Sequence, residues 1–210
     1  MNISFTKKEC VWVIISILIM AFIIGFSEKP NLSPILLLFA SIIILTNILA
    51  KKLFAPRYNI TIEHSVWSFK QFWFTKRAHL NKAFPIGLIL PFFFSIMSLG
   101  LIKPFTLLQF DAKNNIKTRV LRKRGEDRRY EINETDLAYT SAWGLWALIA
   151  LAIIASFLKQ PEITKYAVYY GIWNLIPISQ LDGSKIFFGS FFNWLILAVA
   201  YIIALVVVMI

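Results

Sequence analysis

The chain of 210 residues has little of what disulfides and metal sites are built from, with one cysteine and two histidines. A single cysteine, Cys10, excludes an intramolecular disulfide framework and a thiolate metal cluster. His64 and His79 are fifteen positions apart, too far to be neighbours on one helix face. The sequence also lacks a solenoid-type repeat, a phosphate-binding glycine loop and a polar stretch long enough for a separate soluble domain.

Apolar residues dominate the composition, at 58%, and the mean hydropathy is +0.67. This predicts an all-α polytopic protein in which residues 1–210 form a single membrane domain. Lysine and arginine number 22 against 11 acids, for a net charge of +11. Nucleic acid is one partner for such a charge, but basic residues flanking apolar helices are typical of cytoplasmic membrane edges. We therefore expect contact with anionic lipid headgroups and no nucleic acid.

Five apolar runs predict transmembrane helices. They lie near residues 11–26, 35–50, 137–158, 166–180 and 187–210. The first run is similar in pattern to a signal peptide but exceeds the usual apolar core of about 7–15 residues, so we expect it to remain as a helix.

Residues 84–110 form a sixth apolar stretch, interrupted by Pro85, Pro91, Gly100 and Pro104. If this stretch re-enters and returns to the same side, 19 basic residues lie on one side and 3 on the other. If it spans, the division is 11 to 11. The positive-inside rule therefore favours a re-entrant segment, five true spans and a cytoplasmic N-terminus in a cell membrane.

Two polar segments connect these runs. Residues 58–82 are aromatic and basic, which is typical of an interfacial segment on anionic headgroups. The cytoplasmic insert, residues 111–136, alternates at Ile116, Thr118 and Val120 and predicts a small β-hairpin. The insert is either a solvated loop on anionic lipid, which we favour, or a docking surface for a soluble partner.

A polar, helix-breaking segment lies between the last two apolar runs. Its notable residues are Asn174, Pro177, Leu181, Asp182 and Gly183. A carboxylate at mid-bilayer depth costs about 2.5–3.5 kcal/mol, so such a residue usually faces a partner or a ligand. Asp182 is therefore either a site residue or a hydrated acid at the membrane edge.

The pattern Asn-x-x-Pro-x-x-x-Leu-Asp-Gly over these residues resembles the motif that carries the third zinc ligand in the site-2 protease family of intramembrane metalloproteases. The resemblance runs from about Leu36 onward and implies a site-2 protease-like fold. Family members carry His-Glu-x-x-His at the end of an earlier helix. The corresponding positions here are Asn47-Ile48-Leu49-Ala50-Lys51.

These substitutions remove the chemistry of the family. In His-Glu-x-x-His two histidines bind zinc and the glutamate is the general base. Asn47 is a poor ligand, Ile48 cannot accept a proton and Lys51 repels a divalent cation. The resemblance thus implies a site without catalytic residues and without zinc, in which Asp182 is vestigial.

Two further segments resemble the family in part. Gly144 matches an Ala-Gly-Pro-x-x-Asn motif, whose proline and asparagine positions hold Leu145 and Leu148. Gly100, Lys103 and Pro104 match a Gly-x-x-Lys-Pro stretch near the cleft, where an exposed backbone edge would contact an extended substrate or partner.

The leading functional hypothesis is a pseudoprotease that binds or regulates a transmembrane protein client. One alternative is an active intramembrane metalloprotease in which Asp182 binds zinc with His64 or His79. Another is a small transporter, because broken helices near an intramembrane acid also occur in that class.

The resemblance also implies what replaces the metal. In the family fold the helix-end histidines and the aspartate converge on one ion, so Lys51 and Asp182 are expected to form a buried ion pair. Asn47, one turn earlier, is expected to donate a further hydrogen bond. In the alternative, Lys51 extends to the headgroups beside Lys52.

Overall fold

The computed structural model describes residues 5–28, 34–71, 79–114 and 132–209, with the backbone alone for 69–71, 79–83 and 114. In these ranges the chain is mostly helical. The helices are α1 (Lys7–Glu28), α2 (Pro34–Phe54), α3 (Ile86–Met97), α4 (Glu134–Phe157), α5 (Pro161–Leu175), α6 (Asp182–Gly189) and α7 (Phe191–Met209). The strands are β1 (Ile60–Val66), β2 (Phe69–Gln71), β3 (His79–Phe84) and β4 (Leu108–Asn114).

Four of the described helices are long and apolar enough to cross a membrane: α1, α2, α4 and α7. They correspond to the predicted spans near 11–26, 35–50, 137–158 and 187–210. The predicted span near 166–180 is instead α5, which has fifteen residues. At 1.5 Å per residue α5 is about 22 Å long, against a hydrocarbon thickness of about 30 Å.

The ends of α5 and α6 explain this difference. Ile176 adopts an extended conformation (φ −62°, ψ 128°), as the residue before a proline usually does, and α5 therefore stops at Leu175. A new helix, α6, begins at Asp182 and ends at Gly189, and Ser190 separates it from α7. The last predicted span is thus one long helix, α7, preceded by a short one.

The segment predicted to be re-entrant contains α3, which has twelve residues and includes Pro91. After α3 the chain turns at Leu99 (φ 51°) and Gly100 (φ 81°), and returns in extended form to β4. Both ends of the segment meet one residue: the Trp67 carbonyl accepts from Gly87 N–H at 2.8 Å, and the Trp67 N–H donates to the Leu107 carbonyl at 3.1 Å. The segment is therefore a hairpin that leaves and rejoins the same strand end. Its position in a membrane stays a prediction.

Two antiparallel pairs of strands lie beside the helices. β1 pairs with β4 from Ile60 opposite Asn114 to Val66 opposite Leu108. β2 pairs with β3 with an irregular register. Residues 58–82 were predicted as an interfacial segment, and the period-two burial of Ile60, Ile62 and His64 was missed. The predicted hairpin at 116–132 falls almost wholly on residues outside the described ranges.

Helix α4 lies at the centre of the bundle, where it packs against α2, α5, α6 and α7. The main core joins α1, α2, α4, α5 and α7 with the extended residues Phe105 and Leu107. A smaller core, Ala55, Ile60, Ile62 and Phe110, lies under the β1–β4 sheet. This arrangement brings the end of α2, the start of α6 and the sheet to one place.

Candidate functional site

Lys51 and Asp182 form a buried ion pair at that place. The Lys51 Nζ donates to Asp182 Oδ2, and the two side chains are only 4% and 2% exposed. Lys51 comes from the last turn of α2 and Asp182 from the first turn of α6. The predicted approach of these two residues is confirmed, and Lys51 does not extend to the surface.

Helix α4 leaves space for the Lys51 side chain at Gly144, which has no Cβ. A Cβ added at Gly144 would lie 2.5 Å from Lys51 Cε and 3.0 Å from Asn47 Nδ2. The predicted hydrogen bond from Asn47 is wrong, because its buried Nδ2 has no partner in the described structure. This amide packs toward Gly144. Ile48 is fully buried in the main core.

The segment 174–184 holds Asp182 in position. The Asn174 amide lies 2.8 Å from the Tyr170 carbonyl and 3.3 Å from the Phe105 carbonyl, so it ties α5 to the extended chain before β4. A Cβ at Gly183 would lie 2.0 Å from the Leu175 carbonyl oxygen. Glycine at this position therefore lets the start of α6 pack directly on the end of α5.

A second buried group, which we call the Glu9 cluster, consists of Glu9, Lys52 and His64. Glu9 Oε2 accepts from Lys52 Nζ at 2.6 Å. Glu9 Oε1 lies 3.0 Å from His64 N and 2.9 Å from His64 Nδ1. All three side chains are at most 5% exposed. The cluster ties α1 and α2 to β1.

Burial lowers the pKa of His64 to about 4, and the positive charge of Lys51 acts in the same direction. The hydrogen bond to Glu9 and the charges of Glu9 and Asp182 only partly oppose this shift. At neutral pH the imidazole is therefore neutral. Its Nδ1 then carries the hydrogen that is donated to Glu9, and its Nε2 is left as an acceptor.

Lys185, one turn after Asp182 on α6, adds a further cation. Its Nζ donates to the Phe110 carbonyl and lies 3.4 Å from the centroid of the Phe110 ring. Lys51 Nζ lies 5.3 Å from the same ring. Burial lowers the pKa of Lys185 to about 8, although the Asp182 carboxylate partly opposes the shift. Two ammonium groups therefore lie near the Phe110 ring.

The residues at this place do not fit a zinc ion. Catalytic zinc takes three protein ligands and a water. Within the described residues no three His, Cys, Asp or Glu side chains are close enough to hold a metal. One Asp182 oxygen is occupied by the Lys51 ammonium, and His64 Nδ1 is occupied by Glu9. Only the backbone of His79 is described, opposite Gln71 in β3.

Three buried polar atoms of the site nevertheless have no partner in the described structure: Asn47 Nδ2, Asp182 Oδ1 and His64 Nε2. Two of them are acceptors when His64 is neutral, and one is a donor. Such groups are usually satisfied by a buried water, so the site has the chemistry to hold water.

The predicted partner contact at Gly100, Lys103 and Pro104 has a mixed environment. Gly100 and Pro104 are buried, and Lys103 is half-buried with its Nζ 3.3 Å from the Tyr166 hydroxyl. Leu101 and Ile102 are exposed. Their backbone is already hydrogen-bonded to Ser98: the Leu101 N–H donates to the Ser98 carbonyl at 3.0 Å, and the Ile102 N–H and carbonyl lie 3.0 Å and 3.3 Å from Ser98 Oγ. The partner contact itself stays a prediction.

The sequence predicted the Lys51–Asp182 pair but missed the Glu9 cluster and Lys185. Glu9 did carry a signal, because it is an acid at the start of an apolar helix. Lys52 was taken for an interfacial residue, and nothing in its spacing pointed to Glu9, 43 positions away. Comparison with protein-family models, curated proteins and solved structures found no match for this chain.

Proposed function

We propose that this protein is a membrane-embedded pseudoprotease of the site-2 protease type, which binds or regulates a transmembrane protein partner without cleaving it. The observation that carries the proposal is the buried Lys51–Asp182 pair. It lies at two of the motif positions from which the family takes its zinc ligands. The position of the general base holds Ile48, which has no group to accept a proton.

The proposal includes the orientation of the chain. We propose a multi-pass protein of the cell membrane with a cytoplasmic N-terminus. The Glu9–Lys52 ion pair joins the start of α1 to the end of α2, as expected for two antiparallel helices whose basic ends share one side. The Lys51–Asp182 pair then lies toward the cytoplasmic side.

A restoration experiment tests the proposed origin of the site. We expect the triple variant Asn47→His, Ile48→Glu, Lys51→His to bind zinc, with Asp182 as the third ligand. Metal analysis of the purified protein should give stoichiometric zinc for the triple variant and far less for the natural chain. Adding Asp182→Asn should abolish the gain. Stoichiometric zinc in the natural chain would overturn the proposal, as would chelator-sensitive cleavage that Asp182→Asn abolishes.

A crosslinking experiment tests the proposed partner. A photoreactive amino acid at Leu99, which is 81% exposed in the turn after α3, should capture a membrane protein in native membranes. The matched control is the same probe at Ile202, which is 61% exposed on α7. Equal capture of the same protein by both probes, or by neither, would count against a specific partner contact at the turn.

A further inference from the structure

A cavity of about 690 Å³ lies between the turn after α3, helix α5 and the last turns of α7. Its size is within the range of ordinary small-molecule sites. Neither Lys51 nor Asp182 is among its lining residues. Its lining includes Leu101, Lys103, Lys165, Trp173, Leu205 and Met209.

The lining combines an apolar wall with two cations. The charged lining residues are Lys103 and Lys165, and none of the lining residues is acidic. Both ammonium groups lie close to the ring of Tyr166, with Nζ 5.2 Å and 5.6 Å from its centroid. Lys103 Nζ also lies 3.3 Å from the Tyr166 hydroxyl. Both lysines line the same cavity, and their positive charges favour an anion there.

The apolar wall indicates what the anion is attached to. Leu205 and Met209 line it from α7, while Ile172, Trp173 and Ile176 extend it along and past the end of α5, away from Lys165. Helix α7 is long enough to cross a membrane, and only 11% of its apolar window is buried. A cavity that opens on such a surface is accessible to lipid. One end therefore suits a negative headgroup and the other a hydrocarbon chain.

We propose that this cavity binds an anionic phospholipid, with the phosphate at the lining lysines Lys103 and Lys165 and an acyl chain along α5. The predicted topology places Lys165 on the side opposite the cytoplasmic N-terminus. The re-entrant segment would then carry Lys103 to that side, since both lysines lie at the Tyr166 ring, rather than leave it at the cytoplasmic edge as the charge division counts it. It does not depend on the proposed pseudoprotease function. Because Lys103 lies on the chain that returns from α3, the bound lipid would link that return to α5.

The test compares lipid binding by the purified full chain. Native mass spectrometry and thermal unfolding in neutral detergent are recorded with added phosphatidylglycerol, with phosphatidylcholine and with inorganic phosphate. We expect preferential retention of phosphatidylglycerol and a raised Tm with that lipid alone. At about 1 kcal/mol per basic contact, the double variant Lys103→Gln, Lys165→Gln should bind phosphatidylglycerol roughly thirtyfold more weakly.

Matched controls separate this site from a general effect of charge. Lys113→Gln and Lys159→Gln remove exposed lysines that do not line the cavity, and both should retain the preference. Leu205→Trp fills the apolar wall while keeping both lysines, and should also weaken binding. Equal binding of the two lipids, an equal effect of free phosphate, or an equal loss in the control variants would overturn the proposal. So would full binding by the Leu205→Trp variant.

Discussion

Gly144 of α4 and Lys51 of α2 are in such close contact that a Cβ on the glycine would lie 2.5 Å from Lys51 Cε. The lysine side chain is thus packed against helix backbone on one side and paired with Asp182 at its tip. Glycine at this position therefore determines whether a long cationic side chain fits between two apolar helices.

The Gly144→Ala variant should be less stable than the natural chain. Alanine gains about 1 kcal/mol over glycine in helix propensity, whereas overpacking a buried site costs about 1–3 kcal/mol. We expect the second effect to win, because Lys51 is tied to Asp182 and cannot move aside freely. The measurement is the free energy of unfolding from reversible SDS titration.

A double-mutant cycle identifies the cause of that loss. In a Lys51→Ala background the added methyl group has space, so Gly144→Ala should no longer destabilise. The same cost in both backgrounds would mean that the lysine is not what the methyl group meets.

The buried ion pair should be worth far more than an exposed one when it is broken. Lys51→Met and Asp182→Asn each leave an uncompensated polar or charged group and should cost about 3–5 kcal/mol. The double variant should cost much less than the sum of the two. The matched control is the Lys113–Glu63 pair at 2.7 Å, with side chains 65% and 40% exposed, where about 0–1 kcal/mol is expected. Similar costs for both pairs would contradict a structural role of the buried one.

Stability should fall as the pH drops from about 6.5 toward 4. The pKa of His64 is about 4 in the folded chain, below its ordinary value of 6.5, so between these values the unfolded chain binds more protons. The contribution of neutral, buried His64 to the free energy of unfolding is fully present above pH 6.5 and is lost as the pH falls toward 4. The depression corresponds to a loss of about 3 kcal/mol. The groups that act on His64 are Glu9, Lys51 and Asp182.

The His64→Gln variant is the control for this pH dependence. Glutamine does not titrate, so the variant should show little change in Tm between pH 6.5 and 4. An unchanged slope in this variant would assign the pH dependence to other groups.

Thiols at Lys8 and Asn114 should react from the same side of the membrane, and a thiol at Lys159 from the opposite side. The expectation follows from the positive-inside rule and from the hairpin that returns the chain to β1. The measurement is labelling of single-cysteine variants with an impermeant reagent, after replacement of the exposed Cys10. Labelling of Lys8→Cys and Asn114→Cys from opposite sides would refute the re-entrant topology.

The long helices could be predicted because their apolar runs and charged ends are local signals. The end of α5 was a local signal as well, since Pro177 restricts Ile176, but the position of the break was misjudged. The pairing of β1 with β4 had no local signal in the sequence. It joins Ile60 to Asn114 across the α3 hairpin, and the alternation in β1 was overlooked among aromatic and basic neighbours.

The residues of the site that belong to a sequence motif were predicted. Those that only the fold brings together were missed. Lys51 and Asp182 are 131 positions apart, and only the family resemblance linked them. The hydrogen bond expected from Asn47 is not formed within the described part of the chain. Helical spacing predicts on which face of the helix a side chain lies, but not the direction in which its amide group points. Buried charges such as Glu9 are paired by packing that no single segment encodes.

The two backbone hydrogen bonds of Trp67, to Gly87 and to Leu107, close the chain between these residues into a hairpin that begins and ends at one residue. The ends are held at Trp67, and the returning chain contacts α5 through Lys103 and Phe105, so the bundle leaves only the exposed turn at Leu99 free to change in length. Loop-closure entropy changes only slowly with loop length. Chain length around Leu99 can therefore vary between variants of this fold at little cost, while the register of β1 with β4 stays the same.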